Sequence, residues 1–113
     1  MHEMGVIQNV LRITEDAAER GNAKKILKIH IRMGEYSDVV PEILREYFEI
    51  AAKGTVAEGA EIVLSRIPAV MRCRTCHWEG PVKHGHIVCG DCGSDDLTLI
   101  SGREFIVESL EAE

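Results

Sequence analysis

The sequence predicts an α+β fold: a small mixed α/β domain of two helices and about three strands, into which a cysteine-bearing module is inserted. Two observations predict it. Helical and strand-like hydrophobic periodicities alternate through the first 68 residues, and a strand-like stretch returns after residue 100. Between them, a stretch with few large apolar residues holds all four cysteines of the 113-residue chain. We therefore expect one domain made of residues 1–68 and 101–113, and a second made of residues 69–100.

Two helices are predicted from apolar residues that recur at steps of three and four. The first spans residues 3–20 and stops at Gly21 and Asn22, which both tolerate a left-handed backbone. The second begins at Pro41, which suits the first turn of a helix, and runs to about Lys53. The side chains expected on one face of this second helix are Ile43, Leu44, Tyr47, Phe48 and Ala51.

Three strands complete the predicted domain. The first runs from Lys25 to Gly34, where apolar and polar residues alternate with period two and His30 falls on the polar face. Its expected core residues are Leu27, Ile29, Ile31 and Met33. A second strand spans residues 60–67 and ends before Pro68, and a third spans residues 103–110.

Composition and charge exclude several classes of protein. Hydrophobic residues make up 45% of the chain, which is too many for a disordered protein. No apolar run approaches the roughly 20 residues that span a bilayer, and the N-terminus lacks a basic and apolar signal segment. We therefore expect a cytoplasmic protein with no membrane partner. The net charge is −6 and no region is basic, so we expect no nucleic-acid partner.

The cysteines form two C-x2-C pairs, Cys73/Cys76 and Cys89/Cys92, separated by twelve residues. Two such knuckles supply four soft thiolates to one tetrahedral zinc ion. Four cysteines close the coordination shell, whereas a catalytic zinc needs an open position. The spacing therefore predicts a structural zinc in a zinc-ribbon-like module.

Other roles for these cysteines are less consistent with the sequence. Two disulfides require an oxidising compartment, and a redox C-x-x-C pair belongs at the start of a helix in a thioredoxin-like unit. Iron–sulfur ligation is not excluded by spacing alone. His77 directly follows the first pair. It is either a substitute ligand when a thiolate is protonated or, in better agreement with the sequence, a residue outside the ligand shell. His84 and His86 are expected on a surface loop.

The chain opens with Met1, His2 and Glu3. The bulky second residue disfavours removal of Met1, so its free amine is retained. This amine, the His2 backbone nitrogen and the His2 Nδ1 can form fused five- and six-membered chelate rings around square-planar nickel(II) or copper(II). Binding would deprotonate the amide, so affinity should rise with pH. Glu3 or another side chain would supply the fourth ligand.

The chain resembles the HypA/HybF family of nickel metallochaperones. Three features carry this resemblance together: the Met1-His2-Glu3 start, the helix–strand–helix–strand body and the inserted four-cysteine module. The resemblance covers essentially the whole chain and implies maturation of [NiFe]-hydrogenase without enzymatic activity. It implies nickel at Met1, His2 and Glu3, with His2 the principal ligand, and structural zinc at Cys73, Cys76, Cys89 and Cys92. The implied partners are a HypB-type GTPase, the [NiFe]-hydrogenase large-subunit precursor and, in some bacteria, urease maturation proteins. Some family members place a histidine after the second cysteine pair, where this chain has Gly93.

Two other functions compete with this interpretation. A zinc-ribbon adaptor for nucleic acid or protein is suggested by Arg66, Arg72, Arg74 and Lys83 near the knuckles, although the region is acidic overall. A small zinc enzyme would need an open metal shell and a carboxylate–histidine constellation, and the sequence predicts neither. The oligomeric state is either a monomer or a homodimer, because a returning strand beyond an insert permits strand exchange.

Overall fold

The computed structural model describes residues 2–82 and 85–113, with the backbone alone at residues 2 and 3. The chain divides into two compact units. The first unit comprises Met1–Arg32, Asp38–Ser65 and Ile106–Glu113, and the second comprises Met33–Ser37 and Arg66–Phe105. The elements in chain order are α1 (His2–Arg20), β1 (Ile26–Gly34), α2 (Pro41–Ala51), β2 (Glu61–Ile67), β3 (Val70–Cys73), β4 (Glu79–Pro81), β5 (Leu97–Ser101) and β6 (Phe105–Ala112). Two helices with several strands confirm the predicted α+β class.

Both predicted helices are present, and each buries one face. The buried residues of α1 follow three- and four-residue steps and are Ile7, Val10, Thr14 and Ala18. The hydroxyl of Thr14 donates to the Val10 carbonyl at 2.7 Å, so this buried polar group is satisfied. Helix α2 has Pro at its first turn and buries Leu44 and Phe48. Tyr47, expected on the same face, is 44% exposed.

Strands β2, β1 and β6 form a three-stranded sheet in that order. At the start of β1, Ile26 N–H donates to the carbonyl of Val56, which precedes β2 in the chain. Just after β1, Glu35 N–H donates to the carbonyl of Ile67, the last residue of β2. The two strands are therefore parallel, and α2 lies in the crossover connection that parallel strands require. At the other side, β1 and β6 run antiparallel: Glu113 N–H donates to the Lys25 carbonyl and Gly34 N–H to the Glu104 carbonyl.

The predicted alternation of β1 is wrong at its first residues. Ile29, Ile31 and Met33 are buried as expected, but Leu27 is 42% exposed and Ile26 is 1% exposed. Residues 27 and 28 are both exposed, so the inward face shifts by one residue. The start of the strand is held differently from its remainder, because the Ile26 N–H donates to the carbonyl of Val56, next to the buried Ala57.

The second unit has a sheet of its own, with the strands in the order β4-β3-β5. Strand β3 pairs antiparallel with both neighbours: Met71 lies opposite Gly80 on β4 and opposite Leu99 on β5. A register shift interrupts the pairing with β5 between Val70 and Met71. The sequence predicted no strand within residues 69–100, because strands of three to five residues with few apolar side chains carry little periodicity.

Candidate metal centre

The four cysteine sulfurs converge on one point in the second unit. The Sγ atoms of Cys73, Cys76, Cys89 and Cys92 all lie within 4.8 Å of one another. Two of the contacts join the pairs to each other: Cys73 Sγ is 3.7 Å from Cys92 Sγ, and Cys76 Sγ is 3.5 Å from Cys89 Sγ. The two C-x2-C pairs thus form one cluster, as their spacing predicts.

Each pair is folded into a knuckle by backbone N–H groups that point at its first sulfur. In the first knuckle, the N–H groups of Thr75 and Cys76 donate to Cys73 Sγ, at 3.4 and 3.5 Å. In the second, the N–H groups of Asp91 and Cys92 donate to Cys89 Sγ, both at 3.3 Å. Donors aimed at sulfur stabilise the thiolate, which is the form that binds metal.

The two knuckles also close in the same way. The first cysteine donates its N–H to the carbonyl five residues later, and its own carbonyl accepts from the N–H four residues later. These bonds are Cys73–Trp78 at 2.7 Å and His77–Cys73 at 3.0 Å in one knuckle, and Cys89–Ser94 at 2.8 Å and Gly93–Cys89 at 3.1 Å in the other. The knuckles are therefore two copies of one backbone turn.

The first and second cysteines of each knuckle differ in burial and in proton affinity. Cys73 and Cys89 are buried, whereas Cys76 and Cys92 are exposed. The N–H groups of Cys76 and Thr75 lower the pKa of Cys73 to about 6 against the effect of burial. The Trp78 N–H favours the Cys76 thiolate, but the neighbouring sulfur of Cys89, partial desolvation of the Cys76 sulfur and the other sulfurs raise the pKa of Cys76 to about 12.

The second knuckle repeats this difference. Burial opposes the Cys89 thiolate, but the N–H groups of Cys92 and Asp91 and the neighbouring sulfurs lower the pKa of Cys89 overall. The Ser94 N–H favours the Cys92 thiolate, yet the Cys89 sulfur, partial desolvation of the Cys92 sulfur and the Cys73 sulfur raise the pKa of Cys92. Without metal, the buried sulfurs thus lose their protons before the exposed ones.

This donor set fits one zinc ion. Zinc–sulfur bonds of about 2.3 Å in a tetrahedron separate the sulfurs by about 3.8 Å, close to the observed cross-knuckle distances. Sulfurs this close leave room for one ion rather than for a cluster of several irons, and all four cysteines are free of disulfides. When bound, zinc links the two knuckles. The four thiolates fill its shell, so no position remains for a substrate.

Trp78 packs against the centre but is not among the residues predicted from the sequence. A Cβ atom at Gly80 would lie 2.4 Å from Trp78 Cζ2, and one at Gly90 would lie 2.7 Å from the same atom. Both positions therefore require glycine to make room for the indole. The signal in the sequence was the single tryptophan of the chain beside a glycine-rich cysteine stretch.

In the part of the chain that the structure describes, no histidine joins this cluster. His77 and His86 are exposed, and His84 lies outside the described residues. His77 has a left-handed backbone with φ of 67°, which is uncommon for a residue with a Cβ atom. His30 was expected to be a solvated residue on the polar face of β1, but its Nε2 lies 2.5 Å from Glu111 Oε2.

The arginines that suggested an adaptor are largely neutralised. Arg72 pairs with Glu79 at 2.9 Å, and Arg74 pairs with Asp96 at 3.5 Å. Arg66 is exposed, and Lys83 lies outside the described residues. Ion pairs of this kind reduce the positive potential that phosphate binding needs, so the arrangement does not favour a nucleic-acid interface.

The predicted nickel ligands lie at the start of α1. Met1 is outside the described residues, and the backbone of His2 and Glu3 forms the first helical positions. Their side chains are not described, so the structure does not test the nickel ligand set. The nickel site therefore remains a prediction from the sequence.

Comparison with known proteins identifies the family. The sequence profile described as "Hydrogenase/urease nickel incorporation, metallochaperone, hypA" matches residues 1–112. The chain belongs to the HypA family. Proteins named hydrogenase maturation factor HypA are 38% identical in Geobacter sulfurreducens and 35% identical in Dehalococcoides mccartyi, each over 113 residues. The alignments cover all of this chain, and respectively 100% and 95% of the relatives.

Solved HypA structures share the fold. The solution structure of the Ni metallochaperone HypA from Helicobacter pylori matches with a TM-score of 0.68 at 20% identity, over 97% of this chain and 96% of that one. A second HypA solution structure matches with a TM-score of 0.75 at 24% identity, over 100% and 97% of the two chains. No helix in the described part of the chain is long and apolar enough to cross a membrane.

Proposed function

We propose that this chain is a nickel metallochaperone that delivers Ni(II) for maturation of [NiFe]-hydrogenase, holds a structural zinc and catalyses no reaction itself. The observation that carries the proposal is the closed four-thiol centre in a chain whose HypA profile spans residues 1–112. A filled zinc shell leaves no open position for chemistry. The zinc therefore shapes a surface, and nickel is the cargo.

Nickel is held at the N-terminus by Met1, His2 and Glu3. Helix α1 begins at His2, and the first four N–H groups of a helix have no acceptor within it. Deprotonating the His2 amide therefore breaks no helical hydrogen bond. The positive end of the helix dipole also favours the anionic amide nitrogen over the protonated one. The Met1 amine, this nitrogen and the His2 Nδ1 form the chelate, with Glu3 as a fourth ligand or a supporting residue.

An exposed terminal site suits transfer better than a buried cage does. A partner can approach the bound ion and replace its ligands one at a time, whereas a buried cage releases metal slowly. In this proposal residues 1–68 with 101–113 form the nickel-binding domain, and residues 69–100 form the zinc-binding domain. Of the two compact units, the first carries most of the excess negative charge.

The partners are a HypB-type GTPase, which docks on the acidic helical domain, and the hydrogenase large-subunit precursor, which the zinc module recognises. Urease maturation proteins form a second set of partners where urease is present. Exchange among these proteins takes place in the cytoplasm. The chain acts as a monomer or a homodimer.

The proposal is tested in cells that lack their own copy of this chain. The wild-type chain should restore nickel-dependent hydrogenase activity, His2→Ala should not, and excess nickel in the medium should partly bypass the defect. His30→Ala is the matched control, because it removes a histidine on β1 and should restore activity. Full activity with His2→Ala would overturn the nickel site, and a defect that nickel cannot relieve would oppose a carrier function.

A further inference from the structure

The metal centre has a buried side and an exposed side. Cys73 is 0% exposed and Cys89 is 3% exposed, whereas Cys76 and Cys92 are both exposed. The division follows from the repeated knuckle turn, which places the first cysteine of each pair inside and the second outside. Each knuckle thus contributes one inner and one outer sulfur.

The inner sulfurs are protected in two ways. Burial keeps reagents away from them, and each accepts two backbone N–H bonds at 3.3 to 3.5 Å. Such bonds draw electron density from the sulfur and weaken it as a nucleophile. Cys76 and Cys92 are open to solvent, and their contacts include a sulfur of the opposite knuckle, Cys89 and Cys73 respectively, at 3.5 and 3.7 Å.

We propose that the zinc centre is a site of oxidation by hydroperoxides, which attack it from the exposed side at Cys76 and Cys92 and thereby release zinc. This inference rests on the zinc site, but it does not depend on nickel delivery. All four cysteines of the chain belong to this centre, so thiol reactivity of the protein reports on it alone.

The reaction balances with one hydroperoxide for two thiolates. The sulfur of Cys76 or Cys92 attacks the terminal peroxide oxygen, an S–O bond forms and the O–O bond breaks. Hydroxide leaves from hydrogen peroxide, or alkoxide from an organic hydroperoxide, and takes up a proton. The sulfur is oxidised by two electrons to a sulfenic acid. A second cluster thiolate then attacks this sulfur, an S–S bond forms, and the oxygen leaves as water after protonation. Two of the four cysteines would then no longer be anionic ligands, and the remaining two would hold zinc too weakly to retain it.

The test treats the full-length, zinc-loaded protein with hydrogen peroxide in the presence of dimedone, which traps sulfenic acids. Peptide mass spectrometry then locates the adducts, while a metal-binding dye follows zinc release. We expect adducts at Cys76 and Cys92 to exceed those at Cys73 and Cys89 by about tenfold at early times. Without dimedone, about one zinc should be released per peroxide consumed, and thiol reductant with added zinc should reverse the change.

Adducts spread evenly over the four cysteines, or concentrated on the inner pair, would overturn the proposal. Retention of zinc after two thiolates have been oxidised would overturn it as well. Zinc content and His2-dependent nickel binding are measured before peroxide is added. A protein that binds nickel but no zinc contradicts this inference, whereas one that binds zinc but no nickel contradicts the carrier function and leaves the oxidation test intact.

Discussion

His77 and Gly93 occupy equivalent positions in the two knuckles, and both have a left-handed backbone, with φ of 67° and 74°. Each donates its N–H to the carbonyl of the first cysteine of its knuckle. The turn therefore needs a left-handed residue at this point whichever side chain occupies it. Glycine adopts this conformation freely, whereas histidine does so against the repulsion of its Cβ atom.

Substitution at these two positions should have unequal effects. Gly93→Ala should lower the free energy of unfolding by about 1 kcal/mol, because alanine is strained at positive φ. His77→Gly should change it by less than about 0.5 kcal/mol, since relief of strain offsets the extra freedom of the unfolded chain. Urea unfolding of the zinc-loaded protein, followed by Trp78 fluorescence, measures both. A larger loss with His77→Gly would show that its side chain stabilises the centre.

Gly34 lies so close to the backbone of Gly102 that position 34 tolerates no side chain. A Cβ atom at Gly34 would lie 2.1 Å from both the carbonyl carbon and the oxygen of Gly102. Gly34→Ala should therefore destabilise the protein by about 4 kcal/mol or more. Gly54→Ala is the control: its φ is +80° but nothing lies within 4 Å, so it should cost about 1 kcal/mol. Equal losses in urea unfolding would contradict the close approach.

Zinc binding should release protons from the outer cysteines. Near neutral pH the Cys73 thiol, with its pKa lowered to about 6, is already ionised, whereas the Cys76 thiol, with its pKa raised to about 12, must lose its proton to bind zinc. The pKa of Cys89 is lowered and that of Cys92 is raised, so fewer than four protons should leave per zinc, most of them from the outer cysteines, and zinc affinity should rise with pH. Calorimetry in buffers of different ionisation enthalpy counts these protons. Release of four protons, or of none, would contradict the inner–outer difference.

Glu111 should respond to the loss of His30. The hydrogen bond from His30 is the main reason that the pKa of Glu111 lies below 4.5, with a smaller contribution from Lys28. His30→Ala should raise the pKa of Glu111 toward 4.5, and Lys28→Ala should raise it less. Because the folded pKa is lowered, this contact stabilises the protein above the unfolded pKa and is lost as pH falls through the folded one. NMR titration of the Glu111 carboxyl carbon measures its pKa in both variants and shows which substitution raises that pKa more.

Strong periodicity and cysteine spacing made much of this structure predictable. Helix α1 was expected at residues 3–20 and spans His2–Arg20, and the four cysteines meet as their spacing requires. The end of β6 lies two residues beyond its expected end. Such ends depend on pairing with another strand, which local sequence does not encode.

Other features depend on contacts between residues far apart in the chain. The His30–Glu111 pair joins residues on β1 and β6, and no local pattern indicates it. The short strands β3, β4 and β5 pair with one another, and their own sequences carry little strand periodicity. Trp78 was missed for the same reason, since its partner Gly90 belongs to the other knuckle.

The most direct test of the carrier function is a nickel titration of tag-free, zinc-loaded protein, beside the same protein enzymatically acetylated at the Met1 α-amine. The acetyl group removes the amine as a metal ligand but leaves every side chain and the zinc centre in place. We expect about one nickel per chain in the native protein and at least about a 100-fold loss of affinity in the acetylated one. Equal nickel affinity in the two proteins would contradict the amino-terminal site.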